Sequence, residues 1–167
     1  MLTPDAFSKP EPLQPSHNAD SFDCGEQDLD NWLKNRARKN LQARASKTYV
    51  TCLRDSNEIA GFYAVSMGQV LRSEISGRLS RNMPSDVPCA VIGRLAVDLR
   101  FQGAGIGGNL LRHAIQVSLL AGQHVACRAV IVHALNEAAV KFYKRNGFAL
   151  LPQEDLKLAF DLKEIDG

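Results

Sequence analysis

The 167-residue sequence predicts one α/β domain built on a mixed sheet. Three observations carry that expectation. Runs rich in β-branched and aromatic residues alternate with amphipathic helical stretches, the pattern of strands and helices packed in layers. The length suits one domain that buries roughly two-thirds of its unfolded surface. The composition, 45% hydrophobic and 23% charged with 12 Gly and 7 Pro, excludes a collagen-like or wholly disordered chain. No repeat or linker is visible. The chain divides into an extended arm, residues 1–20, and the domain, residues 21–167.

Pro4, Pro10, Pro12 and Pro15 keep the arm extended and outside any regular element. Asp23-Cys24-Gly25 then opens a helix whose apolar positions, Leu29, Trp32, Leu33, Ala37 and Leu41, share one face. Lys34, Arg36, Arg38 and Lys39 lie between them, so this helix is apolar below and cationic above. Residues 48–53 and 58–67 read as a hairpin around Asp55-Ser56-Asn57. Residues 72–88 have no clean period and contain Pro84 and Pro88, which makes them a long loop with room for a helical turn. Residues 89–97 form a strongly apolar strand. Residues 107–120 form a second amphipathic helix, with Leu110, Leu111, Ala114, Ile115 and Leu119 at helical offsets. A buried strand over 129–132 leads to a third helix over 137–146, capped by Asn136 and stopped by Gly147. Residues 148–151 and 156–162 supply two closing strands.

The formal net charge of +2 hides a segregation. Residues 1–30 carry a net of −6, residues 31–54 carry +7 with no acid at all, residues 55–152 carry +4, and residues 153–167 carry −3. A basic middle lies between acidic ends. No run approaches the roughly 18 uncharged apolar residues of a membrane span, and Met1-Leu2-Thr3-Pro4-Asp5 lacks the basic and apolar regions of a secretory signal. Cys24, Cys52, Cys89 and Cys127 form no CxxC pair, and no Cys/His cluster has zinc-ligand spacing in sequence. A reduced, cytoplasmic protein with no metal is the expectation.

The run Arg100-Phe101-Gln102-Gly103-Ala104-Gly105-Ile106-Gly107-Gly108 joins a strand to a helix. Glycines there let backbone N–H groups approach a phosphate, and the helix N-terminus adds partial positive charge. A P-loop requires Gly-Lys-Ser/Thr at its end, whereas Gly108 is followed by Asn109. Gly103, Gly105 and Gly108 match a dinucleotide fingerprint, yet no acid lies between Asp98 and Glu137 to take the ribose.

A third reading is specific. Arg100-x-x-Gly103-x-Gly105 resembles the R/Q-x-x-G-x-G/A signature of GNAT-superfamily N-acetyltransferases. Arg94-Leu95-Ala96-Val97-Asp98 precedes it, and Val130-Ile131-Val132-His133-Ala134 follows the helix. Asn136-x-Ala138-x-x-x-Phe142-Tyr143-x-x-x-Gly147-Phe148 is similar to the family's second signature. The resemblance spans most of the chain from Phe22 to Leu162. It implies a single-domain GNAT fold: a mostly antiparallel twisted sheet flanked by helices, with a splayed strand that binds acyl-CoA. It implies acetyl-CoA as co-substrate and direct attack by an amine, without an acyl-enzyme. Backbone groups of Leu95, Ala96 and Val97 would pair with pantetheine, one N–H polarising the thioester carbonyl. Arg100 and the amides of Gln102, Gly103, Ala104, Gly105, Ile106 and Gly107 would meet the pyrophosphate. Asn136 would contact the pantetheine arm, beside Ala138 and Phe142, and Tyr143 would protonate the departing thiolate. Ala104 replaces the larger polar residue common in this loop, and Gly108 is one glycine more than the signature needs.

No dedicated general base is evident. For Asp98, capping the glycine loop or pairing with Arg100 is the stronger reading, and His113 and His133 read as structural. An α-amino group titrating near ~7.7 needs less help than a lysine near ~10.4, which favours an α-amine substrate.

A narrower resemblance is to TacT-like acetyltransferase toxins of toxin–antitoxin pairs. It rests on Phe22-Asp23-Cys24-Gly25 before Trp32-Leu33-Lys34, Ala60-Gly61-Phe62-Tyr63, Arg81-Asn82-Met83-Pro84, Gly93-Arg94-Leu95-Ala96-Val97-Asp98 and Val132-His133-Ala134-Leu135. This group acetylates aminoacyl-tRNA on its α-amino group, blocks translation and is neutralised by a ribbon-helix-helix antitoxin; a homodimer is also implied. Lys34, Arg36, Arg38, Lys39, Arg78 and Arg81 are the tRNA-binding candidates, in accord with the charge pattern. The rivals are a GNAT acting on protein or small-molecule amines and a non-catalytic CoA- or RNA-binding module. A polyamine enzyme should carry acids where residues 31–54 have none, and Tyr143 argues against the module.

Overall fold

The computed structural model describes residues 2–166. Its strands are β1 (Glu11–Pro12), β2 (Lys47–Cys52), β3 (Ile59–Leu71), β4 (Asp86–Val97), β5 (Ala129–His133), β6 (Ala149–Leu150) and β7 (Lys157–Asp161). Its helices are α1 (Gln27–Asn35), α2 (Ala37–Gln42), α3 (Ile106–Gly122), α4 (Glu137–Arg145) and α5 (Lys163–Asp166). The strands follow one another in the sheet in the order β1-β2-β3-β4-β5-β7-β6. The β4–β5 pair is parallel, while β1–β2, β2–β3, β5–β7 and β6–β7 are antiparallel, so the predicted mixed and mostly antiparallel sheet is what forms. The residues gather into two compact units, Met1–Ser66 with Arg94–Ala114, and Met67–Gly93 with Ile115–Gly167; β3 and β4 each pass from one to the other.

In the first unit the arm departs from expectation. Glu11 and Pro12 pair with Val50 and Tyr49 on β2, and flanking bonds run from Ser8 N–H to Cys52 O at 2.8 Å and from Leu13 N–H to Thr48 O at 2.9 Å. Prolines do not prevent this, because β1 is an edge strand and Pro12 is not asked to donate. The arm also buries Phe7 and Leu13, and satisfies backbone groups that the edge of β2 would otherwise present to solvent. Two arginines strap it down: Arg38 donates to His17 O at 2.7 Å, and Arg54 donates to Asp5 O at 2.6 Å. The single first helix is instead two, broken at Arg36, whose φ of −121° leaves the helical region. The predicted apolar stripe still faces inward. Trp32, Leu33 and Ala37 are buried against Phe22, Val50 and Phe62. The alternate residues of the hairpin face the other way, with Tyr49 and Tyr63 in register and stacked at 5.1 Å.

In the second unit, β4 begins at Asp86, and the long loop before it contains two short 3-10 turns, Arg72–Glu74 and Gly77–Ser80. Lys157 reaches Glu74 at 3.0 Å, and Arg128 takes Asp161 at 2.9 Å while donating to Arg78 O. Residues 129–132 of β5 are buried without alternation, as suits a strand covered on both faces. Asn136 caps α4 through its side-chain oxygen, which accepts from Ala139 N–H at 2.9 Å. Gly147 ends it at φ +94°, with Phe148 N–H returning to Tyr143 O at 3.1 Å.

All four cysteines are free: Cys24, Cys52 and Cys89 are buried and Cys127 half-buried. Burial pushes the Cys24 thiol up to about 12, with Asp30 adding to it, and Cys52 and Cys89 up to about 11. Among the described residues, no helix is long and apolar enough to cross a membrane.

Candidate active site

The glycine loop starts from a buried carboxylate. Asp98, at the end of β4, accepts from the N–H of Asp23 at 3.1 Å, from the N–H of Arg100 at 2.9 Å and from the Arg100 guanidinium at 3.0 Å. Burial raises its carboxyl, but these donors outweigh burial and hold it below the usual carboxylate range. Asp98 is thus a loop anchor and not a base, as its position suggested. Arg100 is committed in the same way. Its guanidinium lies 3.0 Å from Asp98 and 2.8 Å from Glu58, and it stacks on Phe101. With two carboxylates already on it, Arg100 also braces the start of the loop.

Beyond this brace the backbone opens. Gly103 and Gly105 have φ of +88° and +84°, the left-handed region where a side chain is strained. A Cβ on Gly103 would meet nothing within 4 Å. Ala104 and Ile106 are buried. Gln102 turns its amide back to Val97 O at 3.0 Å. The first backbone bond inside α3 runs from Asn109 N–H to Gly105 O, so the N–H groups of Ile106, Gly107 and Gly108 precede any intrahelical acceptor. Three such donors at a helix N-terminus, behind an open glycine turn, can hold a phosphate group. The parallel ladder of β4 with β5 ends at Ile92, so the backbone of Leu95, Ala96 and Val97 takes no part in it.

In the second unit, α4 carries the residues of the second motif. Tyr143 is 6% exposed, its ring at 5.1 Å from Phe142 and 5.6 Å from Phe148. Among the described residues, its hydroxyl has no protein partner and is not one of the sealed polar atoms, which are Ser46 Oγ and Thr48 Oγ1. The ring is therefore buried and the hydroxyl tip open. Burial pushes the phenol up to about 12, so it stays a proton donor throughout the neutral range. Asn136 and Ala138 are exposed at the start of α4 and Phe142 is half-buried. The Asn136 oxygen serves the cap, which leaves its Nδ2 for a ligand.

The cationic candidates divide. Lys34, Arg36 and Lys39 are exposed in the first unit, and Arg78 and Arg81 in the second. Arg38 is half-buried and its guanidinium straps the arm, donating to His17 O and Gln14 O. His113 is structural, its Nδ1 at 2.7 Å from Tyr63 Oη and its pKa lowered by burial, while His133 is exposed at the end of β5. Sequence reasoning missed Glu58 as partner of Arg100, which no local pattern signals across 42 positions of chain. It also missed a grouping across sequence: possible ligand atoms of Glu11, His17 and Cys52 lie within 4.8 Å of one another. Gln14 N–H donates to His17 Nδ1 at 2.8 Å, which places the ring proton on Nε2, facing Glu11 at 2.8 Å. In this arrangement the group pins the arm by hydrogen bonding.

The profile of the Acetyltransferase (GNAT) family matches residues 11–148. The chain belongs to this family. It is 39% identical to a tRNA-acetylating toxin of Mycobacterium tuberculosis (strain ATCC 25618 / H37Rv), over 95% of this chain and 94% of that one. Among solved structures, AtaT complexed with acetyl-methionyl-tRNAfMet matches with a TM-score of 0.89 and 28% identity, covering 96% of this chain and 97% of that chain. A mutant AtaT toxin bound to the C-terminus of the antitoxin AtaR and acetyl-CoA matches with a TM-score of 0.80 and 28% identity, covering 97% of each. The protein is therefore a GNAT acetyltransferase of mixed α/β fold, and the family match spans both the glycine loop and α4.

Proposed function

We propose that this GNAT enzyme transfers an acetyl group from acetyl-CoA to the α-amino group of aminoacyl-tRNA, and acts as the toxin of a toxin–antitoxin pair in the cytoplasm. The observation that carries this reading is the 39% identity to a tRNA-acetylating toxin across 95% of the chain. The geometry supports it. The free N–H groups of Ile106, Gly107 and Gly108, with the open turn at Gly103, Ala104 and Gly105, hold the pyrophosphate. Backbone groups of Leu95, Ala96 and Val97 align the pantetheine and polarise the thioester carbonyl. Asn136 Nδ2 donates to the pantetheine arm, and Ala138 and Phe142 flank it.

The amine attacks as a neutral nucleophile, its ester lowering its pKa, so no strong base is required. A C–N bond forms as the C–S bond breaks. Tyr143 gives its phenolic proton to the departing sulfur, the amine loses one proton to water, and the tyrosinate regains a proton from water before the next turnover. Lys34, Arg36, Lys39, Arg78 and Arg81 meet RNA phosphates without reading bases. A homodimer and neutralisation by a ribbon-helix-helix antitoxin complete the proposal.

Labelled acetyl-CoA offered to charged tRNA, deacylated tRNA, a protein mixture and spermidine tests it. Label on charged tRNA alone is expected; label only on protein or spermidine would overturn the reading.

A further inference from the structure

Arg94 is the residue directly before the reactive-strand segment Leu95, Ala96 and Val97, and it is unlike the other arginines of the protein. Its guanidinium lies over the Trp32 indole at 4.4 Å from the ring centroid. The indole in turn stacks on Phe62, with 6.0 Å between centroids and 10° between planes. Trp32 and Phe62 are buried in the core, so the platform under the cation is rigid. Arg100, Arg128, Arg38, Arg54 and Arg72 are all taken by carboxylates or backbone carbonyls. Among the described residues, Arg94 has no carboxylate within ion-pair distance and no hydrogen-bond partner. Its nitrogens are therefore uncompensated while its plane is fixed. It is also half-buried, and burial lowers its pKa without removing its charge.

A cation parked on an aromatic face keeps its edge donors free and loses little rotamer entropy when it binds. A partly desolvated, unpaired guanidinium is costly in the free protein unless a partner anion arrives. Such a planar fork takes an oxyanion, a carboxylate or a phosphate, through two parallel N–H donors, and the substrate of the proposed reaction supplies phosphates. In the function proposed above the acetyl-CoA pyrophosphate lies at the N-terminus of α3. The remaining phosphate-bearing substrate is the RNA, whose single-stranded end carries the amine.

We infer that Arg94, held on Trp32, is the ligand for a backbone phosphate in the single-stranded 3′ end of the aminoacyl-tRNA, and so fixes the approach of the amine to the strand that follows it. This rests on the aminoacyl-tRNA reading above. Sequence alone did not single out Arg94 as a ligand, because its distinction is a half-buried guanidinium stacked on Trp32 with no ion-pair partner, which only the fold creates.

The experiment measures KM for charged tRNA against salt concentration, and KM for acetyl-CoA, in the wild-type enzyme and in Arg94→Gln, Arg94→Lys and Trp32→Phe. Loss of one single-strand phosphate contact lowers the slope of log KM against log salt by about 0.7. Arg94→Gln is expected to show that loss with roughly a tenfold higher KM for tRNA and an unchanged KM for acetyl-CoA. Arg94→Lys is expected to keep the slope while raising KM, since an ammonium retains the charge without the planar fork. Trp32→Phe, which keeps an aromatic face, is expected to lie near wild type. An unchanged slope in Arg94→Gln overturns the inference, as does a rise in KM for acetyl-CoA. If the wild-type enzyme leaves charged tRNA unlabelled, the substrate reading itself fails, and that outcome is seen before any variant is made.

Discussion

The surroundings of Tyr143 suit it to the proposed role of general acid. Its ring is packed between Phe142 and Phe148 while its hydroxyl is left open, so the group is fixed in place and free to donate. Its phenol is raised to about 12, which keeps the acid form present at any pH where the enzyme works. The sign of the pH dependence follows. The amine must lose a proton to attack, so kcat/KM rises as pH increases through its pKa, near ~7.7 or below. The acid does not deprotonate in the same range, so no falling limb is expected up to about pH 9.5, measured in single turnovers; a decline near pH 8 would remove the assignment. Tyr143→Phe should lower kcat by about 100-fold or more with little change in either KM. The tyrosine was legible in sequence from its place before Gly147, whereas the environment that raises its pKa was not. That environment depends on Phe148, which the helix stop turns back against the ring.

Among the elements, α3 and α4 were legible because their boundaries are written in short-range chemistry: glycines before α3, Asn136 and Gly147 around α4. Asn136 has two duties, a cap through its oxygen and a proposed ligand contact through its nitrogen. Asn136→Ala should lower stability by about 1 kcal/mol and raise KM for acetyl-CoA. Asn136→Asp keeps the cap and removes the donor, so it should raise KM without the loss of Tm. Equal Tm losses in the two variants would refute the division of labour. The break between α1 and α2 was not legible, since the apolar stripe continues across Arg36 and its backbone bonds persist on both sides. The pairing of β1 escaped notice for a different reason. Four prolines in fifteen residues speak against a strand, and only an unpaired edge elsewhere in the chain makes a two-residue strand worthwhile.

For the molecule as a whole, the separation of charge along the chain survives folding only in part. Arg38 belongs to the basic segment by sequence but holds the arm in the structure, together with the Glu11–His17 pair and Arg54. Arg36, two positions away, is exposed with its side chain unengaged among the described residues. Arg38→Ala is accordingly expected to lower Tm by a few degrees and to leave the salt dependence of tRNA binding unchanged, while Arg36→Ala should do the reverse. Matching behaviour in the two variants would return both to one class. Composition could announce a polyanion partner, but which cations remain available for it depends on carbonyls and carboxylates brought from distant segments.

The four reduced cysteines make the enzyme a quiet background for its own chemistry. Cys24, Cys52 and Cys89 are buried and their thiols raised, to about 12, 11 and 11, and burial also raises the thiol of the half-buried Cys127, so little thiolate exists on them at about pH 8. Each acetyl transfer, by contrast, liberates one unshielded thiol from acetyl-CoA. A colorimetric thiol reagent added to the folded enzyme should therefore count turnovers in real time, without the cysteine-free variant that such an optical assay usually demands.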